Sequence, residues 1–467
     1  MDGKTKINRR YAHWDKRFLW HPFTQQYEWE KTAPIIVASG KGPYFRAIDG
    51  KRYLDGVSSL WVNLHGHRHP ALDKAVISQL KKISHSTFLG LSHVPAIELA
   101  RDLARRAPKG LRRSFYSDNG ATAVEAALKM AFQYWIETER KTRPEFLAVE
   151  GSYHGDTLGA VSVGGVGAFH SKFKPLLFKT NFAMAPACHR CPFNKNKVTD
   201  RFRLGEKTNL VPKPGDKRAE TGCRWECLGS VEKILNARGK RTAAGVIEPV
   251  MQGAGGMIAL PPGYLAGFRR LLTRHNVLMI ADEVATGFCR TGTLFASQQE
   301  KAAPDLMCLA KGLTGGYSPL AVTMTTEKVF RAFRAPFEKM KTFFHGHSYT
   351  AHPLGCAVAR ANLRLIDRSK LLEKTRRKAH LLKDELKSLQ PLPCVGSIRQ
   401  AGLMAGVELV AKNRTGARVC KRLLKDGIWL RPLGNVVVIM PPPVISDRDL
   451  RRLVARLKEV LLRECAV

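Results

Sequence analysis

Val277-Leu278-Met279-Ile280-Ala281 is an unbroken apolar run, and Asp282-Glu283 ends it abruptly. A run of that length suits a strand of a parallel sheet covered on both faces by helices. Phe146-Leu147-Ala148-Val149 and Ala244-Gly245-Val246-Ile247 follow the same pattern. Between such runs the spacing turns helical: from Ala121 to Glu137, the residues Val124, Leu128, Ala131 and Trp135 fall on one stripe. Alternating strands and helices predict an α/β domain in the middle of the chain.

Outward from that centre the pattern changes. Tyr44 to Ile48 and Arg52 to Asp55 flank Asp49-Gly50-Lys51, which signals a hairpin. The first forty or so residues read as irregular. Cys188 to Cys227 is a polar, Pro- and Lys-rich stretch with little periodicity, expected to be an insertion. After about Ile366 come charged helical patterns and short strands such as Val436 to Met440. The expected organisation is a large α/β domain over 76–366, carrying an insertion at about 188–227. A smaller α+β domain is expected from both termini, 1–75 and 367–467.

The chain has 467 residues, 44% hydrophobic and 25% charged, the balance of a soluble globular protein with a sizeable core. It contains no apolar run of about 18 residues, the length a membrane span requires. Met1 to Lys16 is polar and basic with no apolar run behind it, so no secretory leader is expected. Ten scattered cysteines in a chain this long suggest no disulfide framework, and the cytoplasm is the expected compartment. Lys and Arg number 77 against 39 Asp and Glu, a net charge of +38. Such an excess raises a nucleic-acid-binding protein as the rival from a different class. The basic residues are spread along the chain with no arginine-rich tract interleaved with aromatics, which disfavours it. Anionic small-molecule substrates are the simpler partners.

Two segments carry chemistry. Asp282 closes its strand, at the end of an open α/β sheet where ligands bind. Lys311 follows the apolar stretch Leu306 to Ala310 and precedes Gly312-Leu313-Thr314-Gly315-Gly316. A desolvated lysine loses its proton easily, and a neutral amine forms Schiff bases. Pyridoxal phosphate needs this pair: a lysine for its aldehyde and an acid to keep its pyridine nitrogen protonated. Read alone, an Asp-Glu after a strand is commonplace, and a Lys before Gly is usually a solvated loop residue. Ser117-Asp118-Asn119-Gly120-Ala121-Thr122 leads into the predicted helix, whose free N–H groups suit a phosphate, although simple capping by Asp118 or Asn119 explains it as well. Tyr153, in Ser152-Tyr153-His154-Gly155-Asp156, is placed to stack on a planar cofactor or to pack in the core.

Asp282 to Phe288, Lys311 to Gly316 and Tyr153 to Asp156 resemble the class III aminotransferases of pyridoxal-phosphate fold type I, and the resemblance runs from about Trp20 to Leu461. More specific pieces are similar to the branch acting on 8-amino-7-oxononanoate in biotin synthesis. These are Trp20 to Gln25, Asp55 to Trp61, His85-Ser86-Thr87, Pro95 to Leu99 and Leu430 to Gly434. The resemblance implies that Lys311 holds the cofactor and moves the proton, and that Asp282 pairs with the pyridinium nitrogen. It implies phosphate contacts at Gly120 and Ala121, and at His347 and Ser348 reaching across from a second subunit of a homodimer. Tyr153, Trp61 and Gly346 are implied to line the substrate pocket, with Arg431 binding a substrate carboxylate. Ala121 replaces a common Ser. Phe23 replaces a common Tyr and Leu60 a common Trp, both at substrate-touching positions, so S-adenosylmethionine and lysine both stand as amino donors, the first favoured. A class III enzyme acting on 4-aminobutyrate, ornithine or a β-amino acid is the alternative within the class.

Cys188-His189-Arg190-Cys191 and Cys223-Arg224-Trp225-Glu226-Cys227 form two close-spaced cysteine pairs. Their spacing suits thiolate ligation of zinc or an iron–sulfur cluster, or free thiols in a surface loop. Any metal there is expected to be structural.

Overall fold

The computed structural model describes residues 3–139, 142–410 and 414–465. Its centre is a seven-stranded sheet. In chain order the strands are β1 (Leu111–Ser117), β2 (Glu145–Val149), β3 (Thr180–Ala183), β4 (Thr242–Ile247), β5 (Leu278–Asp282), β6 (Leu306–Leu309) and β7 (Ala321–Thr326), arranged β1-β7-β6-β5-β4-β2-β3. Neighbours from β6 through β3 run parallel, and β7 is antiparallel to both β6 and β1. The apolar runs singled out in the sequence are its central strands. They are buried along their whole length because helices cover both faces.

The helix predicted from Ala121 spans Gly120–Glu139. Val124, Leu128, Ala131 and Trp135 are buried on the sheet as the stripe requires, and the Trp135 indole N–H donates to the Ala243 carbonyl at 2.8 Å. That bond satisfies the polar end of a large apolar side chain in the core.

Segments from both ends of the chain meet in a four-stranded sheet, and a five-stranded sheet joins C-terminal strands to one from the middle of the chain. Val37–Lys41, Tyr44–Ala47 and Arg52–Asp55 form an antiparallel run, with the turn at Gly50 taking φ +89°. Ile428–Trp429 adds in parallel to the last of these, pairing with Leu54 and Asp55, so residues 374 positions apart share one sheet. The other sheet orders Arg431–Leu433, Val436–Ile439, Met404–Leu409, Val395–Ala401 and Arg201–Arg203.

Three features depart from the sequence expectations. The N-terminus is helical over Gly3–Phe18, not irregular; Ile7, Tyr11, Trp14 and Phe18 recur at helical spacing but stay exposed. The 188–227 stretch is not merely a loop, since Arg201–Arg203 pairs with Val395–Ala401. Its period-2 signal was hidden because its buried residues are arginines: Arg203 pairs with Glu300 at 2.9 Å and donates to the Leu260 carbonyl. Cys394 and Cys465 are joined in a disulfide across 71 residues, where the last helix, Asp447–Cys465, packs against the start of a strand. Among the described residues, no helix is long and apolar enough to cross a membrane.

Candidate active site

A cavity of about 720 Å³ opens at one edge of the large sheet, and the topology explains what lines it. Parallel strands all deliver their C-terminal ends to the same edge. Asp118 to Ala121 follow β1, Tyr153 to Thr157 follow β2, Glu248 follows β4, Asp282 ends β5, and Ala310 and Lys311 follow β6. Because β7 is antiparallel, its start lies at this edge too, bringing Ser318 to Leu320.

Asp282 is buried and its carboxylate is fixed on both oxygens. Oδ2 meets His154 Nδ1 at 2.7 Å, and Oδ1 accepts the Val284 N–H at 3.0 Å. A carboxylate held this way keeps its direction without rotating. His154 Nε2 is buried with no hydrogen-bond partner. Lys311 takes φ +37°, uncommon for a non-glycine residue, and its Nζ lies 5.3 Å from the centre of the Trp61 ring. Burial holds its amine below the usual lysine range, partly offset by the charges of Asp282, Glu248 and Asp156. That is the direction a nucleophilic amine needs.

The helix Gly120–Glu139 points its N-terminus at the cavity. Asn119 caps it by accepting the Thr122 N–H at 3.1 Å, while the first-turn amides of Gly120 and Ala121 have no intrahelical acceptor. Gly120 is required there: a Cβ would lie 2.7 Å from Val284 Cγ1. Gly155 packs the next loop equally closely, at φ +126°, where a Cβ would lie 2.4 Å from that of Ala121. Leu60 and Trp61 come from the turn Ser58–Trp61, whose left-handed Ser59 is pinned by its N–H and hydroxyl donating to Asp55.

The structure thus gathers Lys311, Asp282, Gly120, Ala121, Tyr153, Leu60 and Trp61 around one cavity. It does not bring Phe23, Gly346, His347, Ser348 or Arg431 into the lining. Phe23 is exposed and touches the site indirectly, through Phe169 at 5.4 Å, whose ring meets Tyr153. Gly346, His347 and Ser348 lie on an exposed loop, so Gly346 does not line the pocket of its own chain. Arg431 is exposed on the strand Arg431–Leu433.

Two residues of the site were assigned no role from sequence. One is His154, which orients Asp282 and carries no signal in the sequence beyond its place beside Tyr153. Glu248 accepts the Tyr153 N–H at 2.9 Å and the Gly253 N–H at 2.8 Å, and burial pushes its carboxyl up to about 7. The signal for it was present, since Glu248 ends an apolar strand as Asp282 does.

A mostly parallel sheet with a half-buried lysine and an anchored carboxylate at one edge is the architecture of fold type I transferases. The chain belongs to the class-III aminotransferase family, whose sequence pattern matches residues 26–461. More particularly, it is 46% identical over 456 residues to the adenosylmethionine-8-amino-7-oxononanoate aminotransferase of Geobacter sulfurreducens, covering 96% of each chain. It is 45% identical to the protein of the same name from Nitratidesulfovibrio vulgaris, covering 96% of this chain and 81% of that one. Among solved structures, the adenosylmethionine-8-amino-7-oxononanoate aminotransferase of Methanocaldococcus jannaschii superposes with a TM-score of 0.88 at 37% identity, over 97% of this chain and 99% of that one. An omega transaminase from Pseudomonas jessenii, solved in complex with PMP, has a TM-score of 0.87 at 27% identity, over 97% and 98%.

Proposed function

We propose that this chain uses pyridoxal phosphate to transfer an amino group to 8-amino-7-oxononanoate, giving the 7,8-diaminononanoate of biotin synthesis. The observation that carries the proposal is a buried amine with a lowered proton affinity, Lys311, sharing one cavity with a carboxylate, Asp282, held on both oxygens. The relatives named above support the choice of substrate.

The residues present fit the cofactor. The cavity exceeds the volume of one small heterocycle, and its wall includes the first turn of a helix, suited to a phosphate. When bound, pyridoxal phosphate supplies an aldehyde carbon for amine exchange and a ring that accepts the electron pair left when the substrate C–H bond breaks. Lys311 Nζ takes the proton from the substrate carbon and gives it back one position away. Asp282, held by His154, keeps a proton on the ring nitrogen. Gly120 and Ala121 donate their N–H groups to the phosphate. Tyr153, Leu60 and Trp61 wall the substrate and exclude water.

The assembly is a homodimer. His347 and Ser348 reach the phosphate in the cavity of a second copy, which agrees with their exposure here, and Gly346 enters that cavity with them. The exposed apolar side chains of Ile7, Tyr11, Trp14 and Phe18 supply surface for such an interface. Arg431 binds the carboxylate of the long-chain substrate with its fork of donors. Phe23 and Leu60 stand where the donor is selected, and S-adenosylmethionine is the proposed donor ahead of lysine.

A donor and acceptor screen tests this. S-adenosylmethionine is expected to bleach the visible cofactor band, and 8-amino-7-oxononanoate to restore it. Restoration by pyruvate or 2-oxoglutarate alone would move the chain to another ω-amine specificity. If neither S-adenosylmethionine nor lysine bleaches the band, the proposed function is wrong.

A further inference from the structure

Four cysteines that are far apart in the chain come to one place. Cys188 and Cys191 sit at a 3₁₀ turn, Cys223 lies in a loop, and Cys227 is in the first turn of the helix Glu226–Arg238. All four line a single void of about 10 Å³, with room for one ion or one water and not for a substrate. The two pairs approach closely: one nitrogen of Arg218, Nη1, lies 3.2 Å from Cys188 Sγ and 3.8 Å from Cys223 Sγ, a sulfur from each pair. Thr221 Oγ1 donates to Cys223 Sγ at 3.3 Å.

We infer that Cys188, Cys191, Cys223 and Cys227 form a structural site for one zinc ion, bound through four thiolates. Four sulfurs at close-pair spacing suit the tetrahedral preference of zinc, and the small void suits a single ion better than an iron–sulfur cluster. Binding forms four Zn–S bonds and releases four thiol protons to solvent, leaving the centre doubly negative. The buried guanidinium of Arg218 is the local countercharge, and its N–H groups with the Thr221 hydroxyl are donors of the kind that surround ligating sulfurs. Among the described residues, no three His, Cys, Asp or Glu side chains already stand in a ligating arrangement. The four side chains must therefore turn onto a common point from around Arg218.

The ion's task follows from position. Between the two cysteine pairs the chain runs out to Arg201–Arg203, the strand that completes the five-stranded sheet. Closing the base of that excursion fixes the strand against Val395–Ala401. None of the four cysteines lines the active-site cavity, so the metal takes no part in transamination.

The test is metal analysis of the full-length holoenzyme purified without chelator. About one zinc per chain is expected, falling at least tenfold in the double variant Cys223→Ser/Cys227→Ser, with the cofactor spectrum retained. Should that variant fail to fold, cobalt(II) exchange into the wild-type protein is the second measurement. Intense thiolate-to-cobalt absorption with visible bands of a tetrahedral site is expected. Wild-type protein that carries no zinc, takes up no cobalt and titrates with these four thiols free or paired as disulfides overturns the inference. Zinc that persists in the folded double variant overturns it too.

Discussion

Replacing Glu248 with Gln should make the cofactor-stripped protein gain stability relative to the wild type as the solution goes from acid to mildly alkaline. Burial raises this carboxyl from 4.5 to about 7. A group whose proton is held more tightly in the folded state contributes stability below its unfolded value and loses it as pH rises through the folded one. The window is therefore about pH 4.5 to 7. Once ionised, the carboxylate costs the folded chain about 3 kcal/mol relative to the neutral acid. Glutamine never ionises, but its amide nitrogen cannot accept one of the two backbone N–H bonds that the carboxyl oxygens take from Tyr153 and Gly253, a cost of about 1 to 3 kcal/mol at every pH. At pH 5 the variant should therefore be the less stable by about that amount. By pH 8 it should have gained about 3 kcal/mol on the wild type. In a chain of this length 1 kcal/mol moves Tm by about 1 °C, so the gap should shift in the variant's favour by about 3 °C between the two pH values. Differential scanning fluorimetry on both proteins, over a pH series, reads it directly. A gap that stays constant from pH 5 to pH 8 would show that Glu248 is ionised in the folded state and that burial does not control it.

The remaining predictions concern the roles proposed for individual side chains. Lys311→Ala should abolish turnover while the circular dichroism spectrum is unchanged; substantial residual transamination contradicts its role. His154→Phe removes the contact that orients Asp282 and should weaken cofactor binding about tenfold, the equivalent of about 1.4 kcal/mol, with His154→Asn recovering part of the loss by offering an N–H near the Nδ1 position. Cofactor titration by absorbance measures both, and equal affinity in all three proteins would leave His154 without a positioning role. Arg431→Ala should raise KM for 8-amino-7-oxononanoate by about 10- to 100-fold through loss of charge-assisted hydrogen bonds, with kcat little changed. An unchanged KM would mean that the carboxylate is bound elsewhere.

How far the sequence foretold this structure depends on which physical signal each element carries. Strands β2, β4 and β5 were readable because burial on both faces demands unbroken apolar runs, and the helix Gly120–Glu139 because its buried stripe repeats at helical spacing. Arg201–Arg203 was not, because arginines with carboxylate partners replace the apolar residues a buried strand normally shows. The helix Gly3–Phe18 was missed for the opposite reason. Its stripe of Ile7, Tyr11, Trp14 and Phe18 is regular but lies among basic residues and stays exposed.

The site divides along a similar line. A parallel sheet sends every strand's last residue to one edge, so polar residues that end neighbouring apolar strands must meet there. Glu248, Asp282 and Lys311 follow or end β4, β5 and β6, which are consecutive in the sheet at a spacing of about 4.8 Å per strand. Their convergence is a property of chain direction and needs no side-chain coordinates. By the same rule Glu248 is as readable as Asp282, since each closes an apolar run. Phe23, His347, Ser348 and Arg431 lie outside this rule, because no strand of the large sheet delivers them to the edge. Their exposure in one chain is what a shared site would produce, with loops of one copy completing the cavity of another. The placement of these four residues therefore tests the proposed homodimer: if a dimeric structure leaves His347 and Ser348 remote from the first turn of the helix Gly120–Glu139 in the second copy, the phosphate is held by a single chain and the shared-site proposal fails.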